Sequence, residues 1–119
     1  MAANPVVPSP ELHLSVEKKS GETVVHASGK IVSTTSELLQ KTIRGLIPET
    51  KHIVLDLTEV PYVDSSGIGA LVSVYLAATR AECVLELANP QPRIRDLFEL
   101  SRLTAVFESR TAYQNPKPE

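Results

Sequence analysis

The chain has one cysteine in 119 residues, no tryptophan, and only two phenylalanines and three tyrosines. The single thiol, Cys83, has no partner for an internal disulfide, so a stapled scaffold is excluded. Its setting, Cys83-Val84-Leu85, reads as a buried inert thiol rather than a reactive one. No apolar stretch reaches the roughly 20 residues that a membrane span requires. The longest, Ile68 to Ala78, falls well short, and membrane insertion is not expected. The N-terminal Ala2 to Pro10 is proline-rich without an apolar core segment, unlike a secretory signal. Together with the lone cysteine, this predicts a reducing, cytoplasmic compartment.

No basic run is present, and 12 Lys and Arg against 14 Asp and Glu leave a formal net charge of −2. That balance argues against general affinity for nucleic acid or anionic membrane. Signatures of catalysis are missing too. A nucleophile elbow needs glycine two positions before the serine, and Ser65 has Val63 there. There is no Gly-x-x-x-x-Gly-Lys-Ser/Thr loop, and no Cys/His cluster has metal-ligand spacing, so neither cofactor nor metal is expected. His13, His26 and His52 all fall in or beside predicted strands and read as strand residues. Asp56 and Glu59, at a strand end, read as solvated carboxylates. The expectation is a protein that is not an enzyme.

What is there is an ordinary globular composition, 42% hydrophobic and 22% charged, of a length that suits one domain. At this size folding buries roughly 65% of the unfolded chain's surface, enough for a core. Residues 1–10 hold three prolines and read as a disordered lead-in. Residues 114–119 read as a disordered tail, and 11–113 as the domain.

Within the domain, Leu12 to Val16 alternates apolar and polar as a half-buried strand does. Ser20-Gly21-Glu22 is a turn, and Thr23 to Ser28 completes a hairpin closed by Gly29. Thr34 and Glu37 have the spacing of a capping box. Leu38, Leu39, Thr42, Ile43, Leu46 and Ile47 then mark one helical face, ended by Pro48. Ile53 to Leu57 is a branched-apolar run, as in a strand covered on both faces. A loop, Thr58 to Val63, leads to a second helix from Ser66 to Thr79. Val84 to Leu87 is a further strand. Asn89-Pro90 opens a third helix with Ile94, Leu97 and Phe98 on its core face. Leu103 to Phe107 is read as a helical turn before a last strand. The order β-β-α-β-α-β-α, with that final strand, predicts an α/β domain with a mixed sheet of four to five strands and helices packed against it.

The junction Val63-Asp64-Ser65-Ser66-Gly67-Ile68-Gly69 places two hydroxyls and an aspartate where a strand ends and a helix begins. Free N–H groups and the helix dipole there suit an anion such as phosphate. Ser65 can serve as the N-cap, as a phosphorylation site, or as both in turn, with Asp64 as its electrostatic and capping neighbour. On the second helix, Ile68, Leu71, Val72, Tyr75 and Thr79 form the predicted sheet-facing side. The opposite side carries Ser66, Ala70, Ser73, Val74 and Ala77, which are small and uncharged. Either another element of the domain covers it or a partner docks there, and the few remaining elements favour docking.

The run Ile53-Val54-Leu55-Asp56-Leu57 followed by Val63-Asp64-Ser65-Ser66-Gly67-Ile68-Gly69-Ala70-Leu71 resembles the signature of the bacterial anti-sigma factor antagonists, which share the STAS domain. Gly29, Asn89-Pro90 and Leu97 to Leu103 extend the resemblance over roughly residues 12 to 110. It implies that Ser65 is phosphorylated by a partner that is both anti-sigma factor and serine kinase. It also implies that the unphosphorylated chain binds that partner and frees a sigma factor, and that a metal-dependent serine phosphatase resets the cycle. On this basis Asp64, Ser66, Gly67 and Gly69 would rim the contact, and Ala70, Ser73, Val74 and Ala77 would dock the partner. The chain departs from the family after Gly29: Lys30, Val32 and Ser33 stand where relatives place an acidic residue. Two other roles fit the same domain: a constitutive STAS subunit of a lipid-transport ATPase complex, and a scaffold of a stress-sensing assembly.

Overall fold

The structure, a computed structural model, describes residues 11–100 and 113–114. β1 (Leu12–Lys19) and β2 (Glu22–Ile31) form an antiparallel hairpin. α1 (Ser36–Leu46) and a 3₁₀ turn (Ile47–Glu49) lead to β3 (His52–Val63). α2 (Ser65–Arg80), β4 (Val84–Ala88), α3 (Pro92–Leu100) and a short β5 (Tyr113–Gln114) follow. The five strands lie in chain order, with β2 to β5 parallel. Because each parallel strand is laid beside the last in one direction, right-handed crossovers bring α1 and α2 to the same face, where they pack on each other. The mixed α/β sheet is the predicted one.

Strand alternation separates the two faces of the sheet. Val25, Leu55 and Leu87 stand in one row across β2, β3 and β4, with Ile53 and Leu85 in the next, and all five are buried. Leu39 and Ile43 of α1, Leu71 and Val74 of α2 and Ile94 of α3 close that core. The other face carries a row of polar groups, His26 beside Asp56 and His52 beside Glu86. Cys83 is buried as expected, and burial pushes its thiol pKa up, away from reactivity.

Several local expectations are corrected. The hairpin does not end at Gly29, since β2 runs on to Ile31. Thr58 to Val63 is not a loop but the second half of β3, still paired with β2 through Ser28–Glu59, Lys30–Tyr62 and Ile31–Val63. The capping box does not form. Thr34 donates instead to the Glu11 carboxylate, and buried Thr35 ties the end of β2 to α1. The Thr35 hydroxyl accepts from the Val32 N–H at 2.9 Å and donates to the Lys30 carbonyl at 2.8 Å. The third helix begins at Pro92, after Asn89 has turned the chain with a φ of 55°. Gln114, expected to begin the disordered tail 114–119, belongs instead to β5 and pairs with Ala88. The Leu103 to Phe107 turn, the lead-in 1–10, the rest of the tail and the side chains of Leu97 and Phe98 lie outside the described residues.

Two glycines allow the backbone crossings that hold this end of the sheet. Gly29 has a φ of +118°, and a Cβ there would lie 2.1 Å from the Glu11 carbonyl oxygen, the same oxygen that accepts the Lys30 N–H. A Cβ on Gly67 would lie 2.0 Å from the Ile31 carbonyl oxygen. Gly67→Ala is therefore expected to destabilise the fold by about 2 kcal/mol or more, since backbone rather than a flexible side chain must move. Gly45, inside α1, has nothing within 4 Å of its Cβ position, and Gly45→Ala should stabilise by about 0.5–1 kcal/mol. Urea denaturation of both variants checks the opposite signs.

Candidate functional site

The site is the step from β3 into α2. Asp64 leaves β3 with extended backbone (φ −100°, ψ −173°) and its side chain accepts the Gly67 N–H at 2.9 Å. Its carbonyl accepts the Ile68 N–H at 2.9 Å, and its own N–H reaches back to the Ile31 carbonyl at 3.2 Å. Asp64, not Ser65, is the N-cap: the bond to Ile31 holds its backbone extended, and its carboxylate lies at the positive end of the helix. Ser65 thus becomes the first helical residue. It is exposed, and its hydroxyl makes no hydrogen bond among the described residues. The set of free N–H groups expected at the junction is reduced accordingly. Asp64 occupies the Gly67 and Ile68 N–H groups, which leaves those of Ser65 and Ser66 to point outward.

The other sequence-predicted residues divide. Ser66 and Gly69 are exposed beside Ser65, whereas Gly67 is buried against Ile31 and belongs to the scaffold. Ala70 and Val74 are buried under α1, so the side carrying Ala70, Ser73, Val74 and Ala77 is not a bare face. Ser73 is clasped by α1: Arg44 Nη2 donates to its hydroxyl at 2.8 Å, and that hydroxyl donates to Gln40 Oε1 at 3.1 Å. Small residues at 70, 74 and 77 let two helices approach, which is why that side carries no charges. The outward stripe of α2 is instead Ser65, Gly69, half-buried Val72 and Leu76, with Leu76 45% exposed. Tyr62, 44% exposed at the end of β3, flanks it. Composition gave no hint of Leu76; only the position of α1 reveals it. At the β2–α1 loop, Glu11 brings a carboxylate to Thr34.

Behind the site, the polar sheet face carries imidazole–carboxylate pairs, and Asp56, expected to be a solvated carboxylate, is hydrogen-bonded in one of them. His26 Nδ1 lies 3.0 Å from Asp56 Oδ2, and Nε2 lies 3.1 Å from Glu17 Oε1. Carboxylates only accept, so the ring is favoured with both nitrogens protonated. Its pKa is raised above the ordinary 6.5 by the bond to Glu17 and then by that to Asp56. Glu17 is correspondingly lowered, by His26 and then Lys19. Burial pushes Asp56 upward, but the Thr58 hydroxyl, the Thr58 N–H and His26 together outweigh it and hold the carboxyl below its ordinary value. Among the described residues no three His, Cys, Asp or Glu converge as a metal site, and no helix is long and apolar enough to cross a membrane.

A capped strand-to-helix step on a five-stranded mixed sheet, with its serine turned outward, defines a class. The chain matches the STAS domain over residues 13–116, and it belongs to that family. The anti-sigma-B factor antagonist of Listeria monocytogenes is 27% identical over 101 residues, covering 82% of this chain and 89% of that protein. High affinity sulfate transporter 1 of Stylosanthes hamata is 36% identical over 61 residues. That match takes in 51% of this chain, which spans only 9% of the transporter's length. Among solved structures, the anti-sigma factor antagonist SpoIIAA in its unphosphorylated form shares the fold at a TM-score of 0.70 and 18% identity, over 88% of this chain and 89% of that one. The phosphorylated form of SpoIIAA from Bacillus does so at a TM-score of 0.66 and 18% identity, over 88% and 92%.

Two outcomes follow for this site. Asp64→Ala should cost about 1 kcal/mol of stability through loss of the cap, whereas Ser65→Ala should stay within about 0.5 kcal/mol; thermal melts of both variants decide. The second outcome concerns pH. His26 binds its proton more tightly when folded, so its contribution is complete below the ordinary 6.5 and is lost as pH rises through its raised folded value. Asp56 is the reverse: its contribution is present above the ordinary 3.8 and is lost as pH falls through its lowered value. The melting-temperature gap between wild type and His26→Gln should therefore be widest between those two values and shrink toward alkaline pH.

Proposed function

We propose that this chain is an anti-sigma factor antagonist worked by phosphorylation of Ser65. In its unmodified form it binds an anti-sigma factor that is also a serine kinase, releasing a sigma factor. Phosphorylation ends the binding, and a metal-dependent serine phosphatase restores it. The single observation that carries this reading is the division of labour at the junction: Asp64 caps α2, so the exposed Ser65 hydroxyl has no structural duty and is free to be modified. The near-full-length antagonist relative and the existence of SpoIIAA in both phosphorylation states support it.

The physics of such a switch is local. A phosphate on Ser65 adds about −1.5 to −2 charges beside Asp64. The N–H groups of Ser65 and Ser66 and the positive end of α2 stabilise it within the domain, so the fold survives. A partner seated over Ser65, Ser66, Gly69 and Leu76 meets added volume and like charge at the centre of its contact. About 2.7 kcal/mol lost there weakens binding 100-fold. No step requires catalysis by this chain, and its site is cytoplasmic.

The identity to a segment of a sulfate transporter favours a second reading, a constitutive STAS subunit of a membrane transport assembly, for example a lipid-transport ATPase complex. The test is a native pull-down with wild type, Ser65→Asp and Gly69→Ala, with partners identified by mass spectrometry. Retention of a small ATP-binding kinase by wild type and its loss from Ser65→Asp is expected. Gly69 has nothing within 4 Å of its Cβ position, so Gly69→Ala should stabilise α2 by about 1 kcal/mol yet weaken partner retention. Equal retention of transport subunits by all three proteins would replace the switch with the constitutive role.

A further inference from the structure

Beyond His26 and Asp56 the two central strands fall out of step. From that pair to Ile31–Val63, β2 advances five residues and β3 seven, with register shifts between His26 and Ser28 and again between Ser28 and Lys30. β3 therefore absorbs two extra residues as bulges, which are rare in a parallel pair. Pro61, which lies in the second shifted interval, brings no N–H to the ladder. Val63 hands directly to Asp64 and Ser65, so the shape of the bulged stretch sets where the serine arrives.

A chain of contacts fixes the first bulge. Asp56 Oδ1 accepts the Thr58 N–H at 3.0 Å and the Thr58 hydroxyl at 2.6 Å. Gln91 Nε2 donates to the Thr58 carbonyl at 2.9 Å from the segment leading into α3. The other oxygen of Asp56 is held by His26, whose far nitrogen is held by Glu17. Glu17, His26, Asp56 and Thr58 thus form one line from the edge strand to the bulge. His52 supplies an internal comparison: it meets Glu86 at 2.6 Å on the same sheet face, where β3 and β4 pair without a shift.

We propose that His26 is a positioning residue for the Ser65 site, and that its protonated ring holds Asp56, and through it the β3 bulge, in the arrangement that presents Ser65. A neutral ring keeps one N–H. The line then loses a link at Glu17 or at Asp56, and the charge assistance at both. Presentation of Ser65 is thereby tied to pH across the histidine range. Among the described residues, the charged and titratable groups on this sheet face around His26 include His13, Glu17 and Lys19 of β1, Asp56 and His52 of β3, Glu86 of β4, and Glu22 of β2 itself; Glu17 and Asp56 touch it. The functional meaning rests on the reading of Ser65 as the modified residue; the mechanical coupling does not.

The test is a proton–nitrogen NMR titration of the full chain from about pH 5 to about pH 9. The Thr58, Asp64 and Gly67 amides are expected to shift with one common midpoint, that of the His26 ring. His26→Gln should abolish that titration and His52→Gln should leave it in place. Hydrogen exchange at the Asp64 amide, which bonds to Ile31, should be about tenfold faster in His26→Gln than in wild type at the acid end, after correction for intrinsic rates. Asp64 and Gly67 amides that ignore the His26 midpoint in wild type, or still titrate with it in His26→Gln, overturn the proposal. The wild-type titration decides alone if the variant does not fold. Because it needs no partner, loss of this coupling and failure of the phosphorylation reading are separate results.

Discussion

The carbonyl group of Ile31 is the point on which the functional end of the domain turns. Its oxygen accepts the Asp64 N–H at 3.2 Å and occupies the space where a side chain at position 67 would stand. One backbone group at the end of β2 therefore fixes both the exit from β3 and the closeness of the first turn of α2. Everything proposed for Ser65 depends on that contact. It holds Asp64 in extended geometry, which lets its side chain cap the helix and leaves the next hydroxyl outward. A glycine at 67 is the condition for it, since any Cβ would push the helix start away from the sheet.

The division between Asp64 and Ser65 has an electrostatic logic. A helix start needs an acceptor for its unpaired N–H groups, and the Asp64 carboxylate supplies one. Once Asp64 takes this role, adding a dianion one residue later does not remove a cap. Under the proposed function such a modification would change the surface and leave the cap in place. A serine that was itself the cap would lose its structural role on modification, and stability and binding would then change together.

The sheet behind the site is not passive. The helix-covered face is a continuous apolar layer, but the other face is organised in imidazole–carboxylate pairs, His26 with Glu17 and Asp56, and His52 with Glu86. The His26 pairs are partly in water, so each adds little to stability alone, whereas Glu86 is buried. Their consequence is geometric. Asp56 bridges a strand in regular register to a bulge, and the bulge carries the chain to Ser65.

Much of this was legible in the sequence. The branched-apolar run at Ile53 to Leu57, the period of Leu39, Ile43 and Leu46, and the position of Pro48 follow from local preference and hydrophobic spacing, and they determine an α/β chain with its serine at a strand-to-helix step. Those properties are local in sequence, so a single chain can display them. What lay beyond reach was every choice between two locally acceptable partners. Asp64 rather than Ser65 became the cap because of where Ile31 holds the backbone. Thr58 to Val63, interrupted by Pro61, became a bulged strand because β2 lies beside it. Ala70 and Val74, small enough either to receive a partner or to receive a helix, went under α1, so the outward stripe of α2 became Gly69, half-buried Val72 and Leu76. These outcomes depend on contacts between residues some 30 positions apart, where the energy of a packed or hydrogen-bonded neighbour exceeds the small differences in local preference.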